Sequence, residues 1–188
     1  MRKILLLLTS VMMALGIVAC GGSGGSGEEN TNTPEAAVAG FLDAVKEGDQ
    51  SKANEYLEKE DTMYSEDTAE DTTQLKMMLE NITYNIQSVN TDTEGVSIVT
   101  VDITNVDMSA VFQTYMQNAL EAATDNPNMT QEEAITLLQE AITENKENTI
   151  TKTVDLEATQ SDEGKWKIKT TDELSSILAG GLTEEAFQ

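Results

Sequence analysis

Apolar positions change their spacing several times along this 188-residue chain, and each change marks an element. Ile4 to Val18 is a nearly continuous apolar run, interrupted only by Thr9, Ser10 and Gly16. Val38, Phe41, Leu42 and Val45 then recur at i, i+3, i+4 and i+7, which is one stripe of a helix. Thr33 precedes that stripe as an N-cap, Pro34 occupies the first helical position, and Gly48 ends the run. Asp49 caps a short second helix with Ala53, Tyr56 and Leu57 inward. Glu58 to Thr73 is acidic and nearly free of apolar side chains, so it reads as a loop. Leu75, Met78, Leu79 and Ile82 mark a third helical piece.

The period then drops to two. Ile82, Tyr84 and Ile86 alternate with Thr83, Asn85 and Gln87, and Val99, Val101 and Ile103 share one face of a strand from Val96 to Val106. Matching those faces across a turn at Asn90–Gly95 predicts Tyr84 opposite Val101 and Ile86 opposite Val99. Val111, Phe112, Tyr115, Met116, Ala119, Leu120 and Ala123 restore the helical period until Pro127 breaks it. Thr130 and Glu133 form a capping box for another helix, with Ile135, Leu138 and Ile142 inside. In a second hairpin Val154, Leu156 and Ala158 face the same way as Trp166, Ile168 and Thr170. Closing it around Ser161–Gly164 predicts Glu157 opposite Lys167 and Asp155 opposite Lys169. Leu174, Ile177 and Leu178 make a last helix, ended by Gly180-Gly181. The elements predict an α+β fold: N-terminal helices packed on a curved antiparallel sheet made of two hairpins, with a helical pair between them.

The first apolar run is an address rather than a core element. Arg2 and Lys3 precede it, and its length of about 15 residues falls short of the roughly 20 that span a bilayer. It ends Ile17-Val18-Ala19-Cys20, which resembles the lipobox of bacterial lipoproteins. That resemblance implies cleavage between Ala19 and Cys20, and a diacylated Cys20 as the new first residue. A plain secretory signal with an incidental cysteine, or an uncleaved anchor, are the alternatives. The only cysteine in the chain stands at the required position, which favours the lipoprotein. Two acyl chains suffice for stable anchoring. The expected organisation is a signal peptide at 1–19, a lipidated cysteine and Gly/Ser tether at 20–32, and one α+β domain at 33–188. The tether, a flexible coil spanning roughly 20 Å, would hold that domain on the extracytoplasmic face of the cell membrane.

Charge and composition narrow the chemistry. Eleven Lys+Arg against 34 Asp+Glu give a net charge of −23, with no histidine. No imidazole relay, His-bearing zinc site or intrachain disulfide can form, and a nucleic-acid partner is excluded by repulsion from phosphates. Removing residues 1–19 leaves nine lysines and no arginine, so no guanidinium can clamp a phosphate or carboxylate. No cofactor is expected beyond weak Ca²⁺ binding. Asn90-Thr91-Asp92-Thr93-Glu94-Gly95 opens like an EF-hand loop, but position 12 is Val101, where a bidentate carboxylate is needed. The cluster Glu58, Glu60, Asp61, Glu66, Asp67, Glu70 and Asp71 would hold cations loosely at most. A solvated acidic run is its plainer reading.

The order of elements carries a second resemblance. Thr33-Pro34-Glu35-Ala36-Ala37 opening the helices, Phe41-Leu42, the Gly48-Asp49 break and the late Gly164-Lys165-Trp166-Lys167-Ile168 are similar to the nuclear-transport-factor-2-like (cystatin-like) fold. More narrowly they resemble small lipoproteins of unassigned function in Gram-positive bacteria. The helical pair between the hairpins is longer than the minimal fold needs. The resemblance implies a cone between sheet and helix, with Phe41, Tyr84, Tyr115 and Met116 as candidate ligand contacts. Trp166 and the tyrosines could stack on sugars or cell-wall fragments, but Trp166 alternates with Ile168 on an apolar face and is expected in the core. The function expected is non-enzymatic binding of a small ligand or peptide there, or docking of an envelope protein. The rival is an isomerase or hydrolase using carboxylate and tyrosine, from Asp43, Tyr56, Tyr84, Asp102 and Tyr115. Asp43 and a tyrosine in one desolvated pocket would favour the enzyme. A cone filled by Phe41, Phe112 and Trp166 would exclude it. A lipoprotein acting through its surface would instead show an exposed apolar patch.

Overall fold

The computed structural model describes residues 32–59, 76–92, 95–126 and 128–182. The signal sequence, Cys20, the Gly/Ser tether, most of the acidic run and Pro127 lie outside the described residues. Helix α1 (Pro34–Glu47) starts where Thr33 accepts a hydrogen bond from the Ala36 amide at 3.2 Å, and stops at Gly48. Asp49 accepts from the Lys52 amide at 3.0 Å to start α2 (Gln50–Asn54). A helical turn at 76–79 leads into β1 (Thr83–Thr91) and β2 (Val96–Val106). Helices α3 (Met108–Asp125) and α4 (Gln131–Asn145) follow, then β3 (Thr149–Gln160), β4 (Trp166–Ile168) and α5 (Asp172–Leu178). The strands form an antiparallel sheet in the order β1-β2-β3-β4, so the two hairpins join through β2 and β3.

Both hairpins are out of the predicted register by two residues. Tyr84 pairs with Ile103 and Ile86 with Val101. Ala158 pairs with Ile168, so Glu157 meets Lys169 (3.8 Å) rather than Lys167. Asp155 instead accepts from Thr100 on β2 at 2.7 Å. A slip of two keeps every side chain on its face, and only the turn tells the alternatives apart. In the second hairpin Ser161 closes on Lys165, its amide 2.8 Å from the Lys165 carbonyl, with Gly164 in the left-handed region at φ 76. In the first, a bulge leaves Gln87 unpaired between Ile86 and Ser88. The extra residue turns Val89 onto the core face, opposite Val99.

The main core lies between the sheet and the helices on one of its faces. Val38, Phe41, Leu42 and Val45 of α1 meet Val99, Val101 and Ile103 of β2, Val154 and Leu156 of β3, and Leu174 and Ile177 of α5. A second, smaller cluster of Val106, Met108, Val111, Ala141 and Ile142 roots the α3–α4 pair at the end of β2. Between the two, Asn105 is a buried amide fully used: its Nδ2 donates to the carbonyls of Leu178 (2.9 Å) and Ile177 (3.3 Å), and its Oδ1 accepts from the Val106 amide (2.8 Å). It adds a donor to carbonyls at the C-terminus of α5, of which Ile177 also accepts from the Gly180 amide at 3.0 Å. The capping box at Thr130 and Glu133 forms as the sequence predicts. These pairings and cores lie within residues 32–182, so a chain beginning at Glu28 contains the residues that make them.

Two side chains of the predicted apolar faces, of which Trp166 is expected in the core, lie outside both cores. Trp166 is only half-buried, because β4 is three residues long and Trp166 stands at its open start. Phe112 is exposed, as are Met116 and Leu120: the apolar stripe of α3 is wider than α4 can cover, and only the Val111 and Tyr115 side is packed. The sheet edges also differ. The outer edge of β4 is covered by the segment after α2, where the Ile168 amide donates to the Tyr56 carbonyl (2.7 Å) and the Glu58 amide to the Ile168 carbonyl (3.0 Å). Among the described residues no strand pairs with the outer edge of β1, whose ladder carries a bulge at Gln87. Among the described residues no helix is long and apolar enough to cross a membrane.

Candidate functional site

The stitching of Tyr56 and Glu58 to Ile168 brings the end of α2 beside the start of β4, and the N-terminus of α1 closes the third side. The result is a cleft of about 450 Å³ lined by Thr33, Ala37, Glu55, Tyr56, Lys165, Trp166 and Lys167, with Asn32 at its rim. The hydroxyl end of Tyr56 lies against α1 at Gly40, where a Cβ would meet the ring at Cζ and Oη, with Cε1 only 2.8 Å away. A glycine in mid-helix is the condition for that approach. Lys167 donates from Nζ to the Glu55 carbonyl at 2.5 Å, which fixes its stem along the cleft wall. Lys165 reaches Glu163 at 3.6 Å with both side chains largely in water, a pairing that holds neither in place. Asn32 donates to the Gly164 carbonyl at 2.8 Å, so the chain toward the tether leaves beside this cleft.

Such a site has two aromatic side chains with apolar faces and polar tips, and two ammonium groups, Lys167 held by the Glu55 carbonyl and Lys165 free to move. It can stack a flat apolar surface and attract a negative charge. Within it is no acid–base pair shielded from water.

The residues expected to line a cone are not brought together. Phe41 is fully buried in the main core. Tyr84 is half-buried at that core's edge, and its Oη donates to Asp43 Oδ1 at 2.9 Å and to the Ala39 carbonyl at 3.4 Å. Tyr115 packs on the second cluster, with its ring 6.1 Å from that of Phe112 in an edge-on contact, and Met116 points to solvent. The carboxylate and tyrosine the rival reading needs do meet, as Asp43 and Tyr84. Asp43 is exposed, however, beside an open polar cleft lined by Lys46, Glu47, Lys76 and Glu80. Asp102 accepts from Gln87 and Thr153, both at 2.6 Å, across the solvent face of three strands. Neither acid is desolvated as a general base must be. At the other end of the molecule a groove of about 250 Å³ runs between α3 and α4, lined by Met129, Leu137, Ala122 and Glu133. Among the described residues no three carboxylates converge as a cation site.

Sequence reasoning had Tyr56 and Trp166 in hand but did not join them. The clue was Gly40, four residues before Ala44 in the helix and one before Phe41, standing where a helix prefers alanine. A mid-helix glycine beside the core marks something large lying across it.

No protein-family profile matches the chain, and no curated protein matches it. Among solved structures it is similar to that of a putative lipoprotein (ycdA) from Bacillus subtilis, with 19% identity and a TM-score of 0.45, over 80% of this chain and 47% of that one. The chain thus spans about half the length of that protein. A likeness of that degree fixes neither fold nor role.

Proposed function

We propose that this chain is a lipid-anchored extracytoplasmic lipoprotein that binds a small anionic ligand with a flat apolar face, such as an acidic sugar, in the cleft between Tyr56 and Trp166. The observation that carries the reading is the pairing of two half-buried aromatic side chains with Lys165 and Lys167 in a chain of net charge −23. Cations are scarce on this protein, and two of its nine mature lysines flank its only tryptophan. The anchor rests on Ile17-Val18-Ala19-Cys20, and the departure of the chain at Asn32 supports a cleft facing the tether side. The helices-on-sheet order supports the resemblance to the nuclear-transport-factor-2-like fold, with the ligand at the sheet's edge instead of in a cone. The reading is non-enzymatic because Asp43 is exposed and Asp102 stands half-buried on the outer face of the sheet, bonded to Gln87 and Thr153 and away from the cleft. Calcium enters it only as a loose counterion of the acidic run.

Thermal shift and Trp166 emission on residues 28–188, against acidic sugars and cell-wall fragments, test it. A ligand at a hundred times its dissociation constant adds about 2.7 kcal/mol of stability. Saturable shifts abolished by Tyr56→Ala and weakened by Lys165→Ala are expected. A ligand whose binding ignores both substitutions, or no anionic ligand at all, would sink the reading.

A further inference from the structure

One peptide unit in the β3–β4 turn is held from three directions. The Gly164 carbonyl accepts from Gln160 Nε2 at 2.9 Å and from Asn32 Nδ2 at 2.8 Å, and the Lys165 amide of the same unit donates to Ser161 Oγ at 3.3 Å. Gln160 and Ser161 belong to the hairpin itself. Asn32 does not: it stands 132 residues earlier in the chain, directly before the Thr33 cap of α1. Its bond therefore runs from the cleft wall made by Thr33 and Ala37 to the wall made by Lys165 and Trp166.

We propose that Asn32 is the positioning residue of this cleft: it clamps the start of α1 to the Gly164–Lys165 peptide, and so sets both the gap a ligand must fill and the place of the Lys165 charge. The proposal rests on the reading of the Tyr56–Trp166 cleft as the binding site. Lys165 and Trp166 follow the clamped peptide directly, so its orientation decides where both side chains leave the backbone. Lys167 has its own hold on the Glu55 carbonyl, whereas Lys165 meets only the exposed Glu163, at 3.6 Å, and depends on its backbone for its place. An amide suits the role because it donates to the carbonyl without adding charge. An ionised aspartate there could only accept, and would compete with the ligand for the lysines. Clamp and ligand also support each other: a ligand that fits only the clamped gap strengthens the Asn32 bond, and the bond raises the ligand's affinity by the same factor.

Amide exchange on ligand-free residues 28–188 tests the clamp before any ligand is known. Losing one such hydrogen bond shifts a local opening equilibrium by roughly two- to tenfold. Asn32→Ala should speed exchange by that factor on both walls at once: at Gly164 and Lys165, whose amides bond to Ser161, and at Ala36 and Ala37, whose amides bond to Thr33. Gln160→Ala removes the other donor to the same carbonyl and should act on the turn alone. Asn32→Gln keeps the donor and should restore both walls. Asn32 is exposed, so the melting temperature stays within a degree or two in each variant at that position. Exchange that changes on one wall only, or on neither, overturns the proposal, and so does Asn32→Gln behaving like Asn32→Ala. For an acidic sugar whose binding is lost in Tyr56→Ala, Asn32→Ala should raise the dissociation constant by the same two- to tenfold; an unchanged affinity would also overturn the proposal. A ligand indifferent to Tyr56→Ala would instead sink the reading of the cleft and leave the exchange result standing.

Discussion

Replacing Gly40 with alanine sets two effects of known sign against each other. Alanine in a helix interior is favoured over glycine by about 0.8–1.0 kcal/mol. At Gly40, however, the new methyl would enter the Tyr56 ring, whose Cε1 lies 2.8 Å from its position and whose Cζ and Oη lie closer. The ring must swing outward and give up its packing on the edge of the main core. Full burial of such a side chain is worth about 1.5–3 kcal/mol, and Tyr56 is half-buried, so the loss with the displaced contacts is about 2 kcal/mol. Net destabilisation by about 1 kcal/mol follows in the wild-type background. In a Tyr56→Ala background nothing obstructs the methyl, and Gly40→Ala should stabilise by about 1 kcal/mol. Urea unfolding of the four proteins of this cycle measures a coupling of about 2 kcal/mol. Trp166 is the only tryptophan, so its emission reports the cleft directly and should change in Gly40→Ala. Equal stabilisation in both backgrounds would refute the placement of the ring, and with it the shape of the cleft.

Other substitutions probe the scaffold around that site. Asn105→Ala should cost about 2–4 kcal/mol, because the α5 carbonyls and the Val106 amide lose buried partners. Asn105→Asp should cost more at neutral pH than in acid, where its proton can be donated to a carbonyl; equal cost at both pH values would argue against that hydrogen-bond pattern. Thr33→Ala should remove about 1 kcal/mol from α1 and loosen the cleft wall, read by amide exchange over 34–37. Glu133 is held below its ordinary carboxyl pKa of 4.5 by the bond from the Thr130 amide and then by the Thr130 hydroxyl. Its contribution to α4 is complete above that ordinary value and is lost as pH falls through the lower, folded one. Amide shifts at the start of α4 should titrate below pH 4.5 and cease to do so in Glu133→Gln.

Local signals were the legible part of this chain. The caps at Thr33, Asp49 and Thr130 and the inward faces of α1 and α5 depend on neighbours within a turn, and each is where the sequence places it. Register was illegible in principle, since slipping Tyr84 from Val101 to Ile103 moves no side chain off its face. The bulge at Gln87 hides in the same way, as a choice between Ser88 and Val89 for the core. On α3 the sequence shows two adjacent apolar rows, and which one meets α4 is decided by the root at Val111 and Ile142. The cleft escaped because its parts come from α1, the end of α2 and β4, which only the backbone bonds at Ile168 draw together. Cys20, the strongest sequence feature, lies outside the described residues.

The bulge in β1 has a bearing on solubility. Thr83 to Thr91 is an edge segment without a single charged side chain, the kind of strand on which another chain can add itself. Gln87 interrupts its ladder midway and is itself held to Asp102 at 2.6 Å. Deleting that one residue would leave Ile86 and Val89 both facing inward, so the fold would lose no burial. It would also leave eight residues of straight, uncharged edge strand. A change invisible to stability measurements would then surface as fibrils or precipitate, first where many copies share a small area.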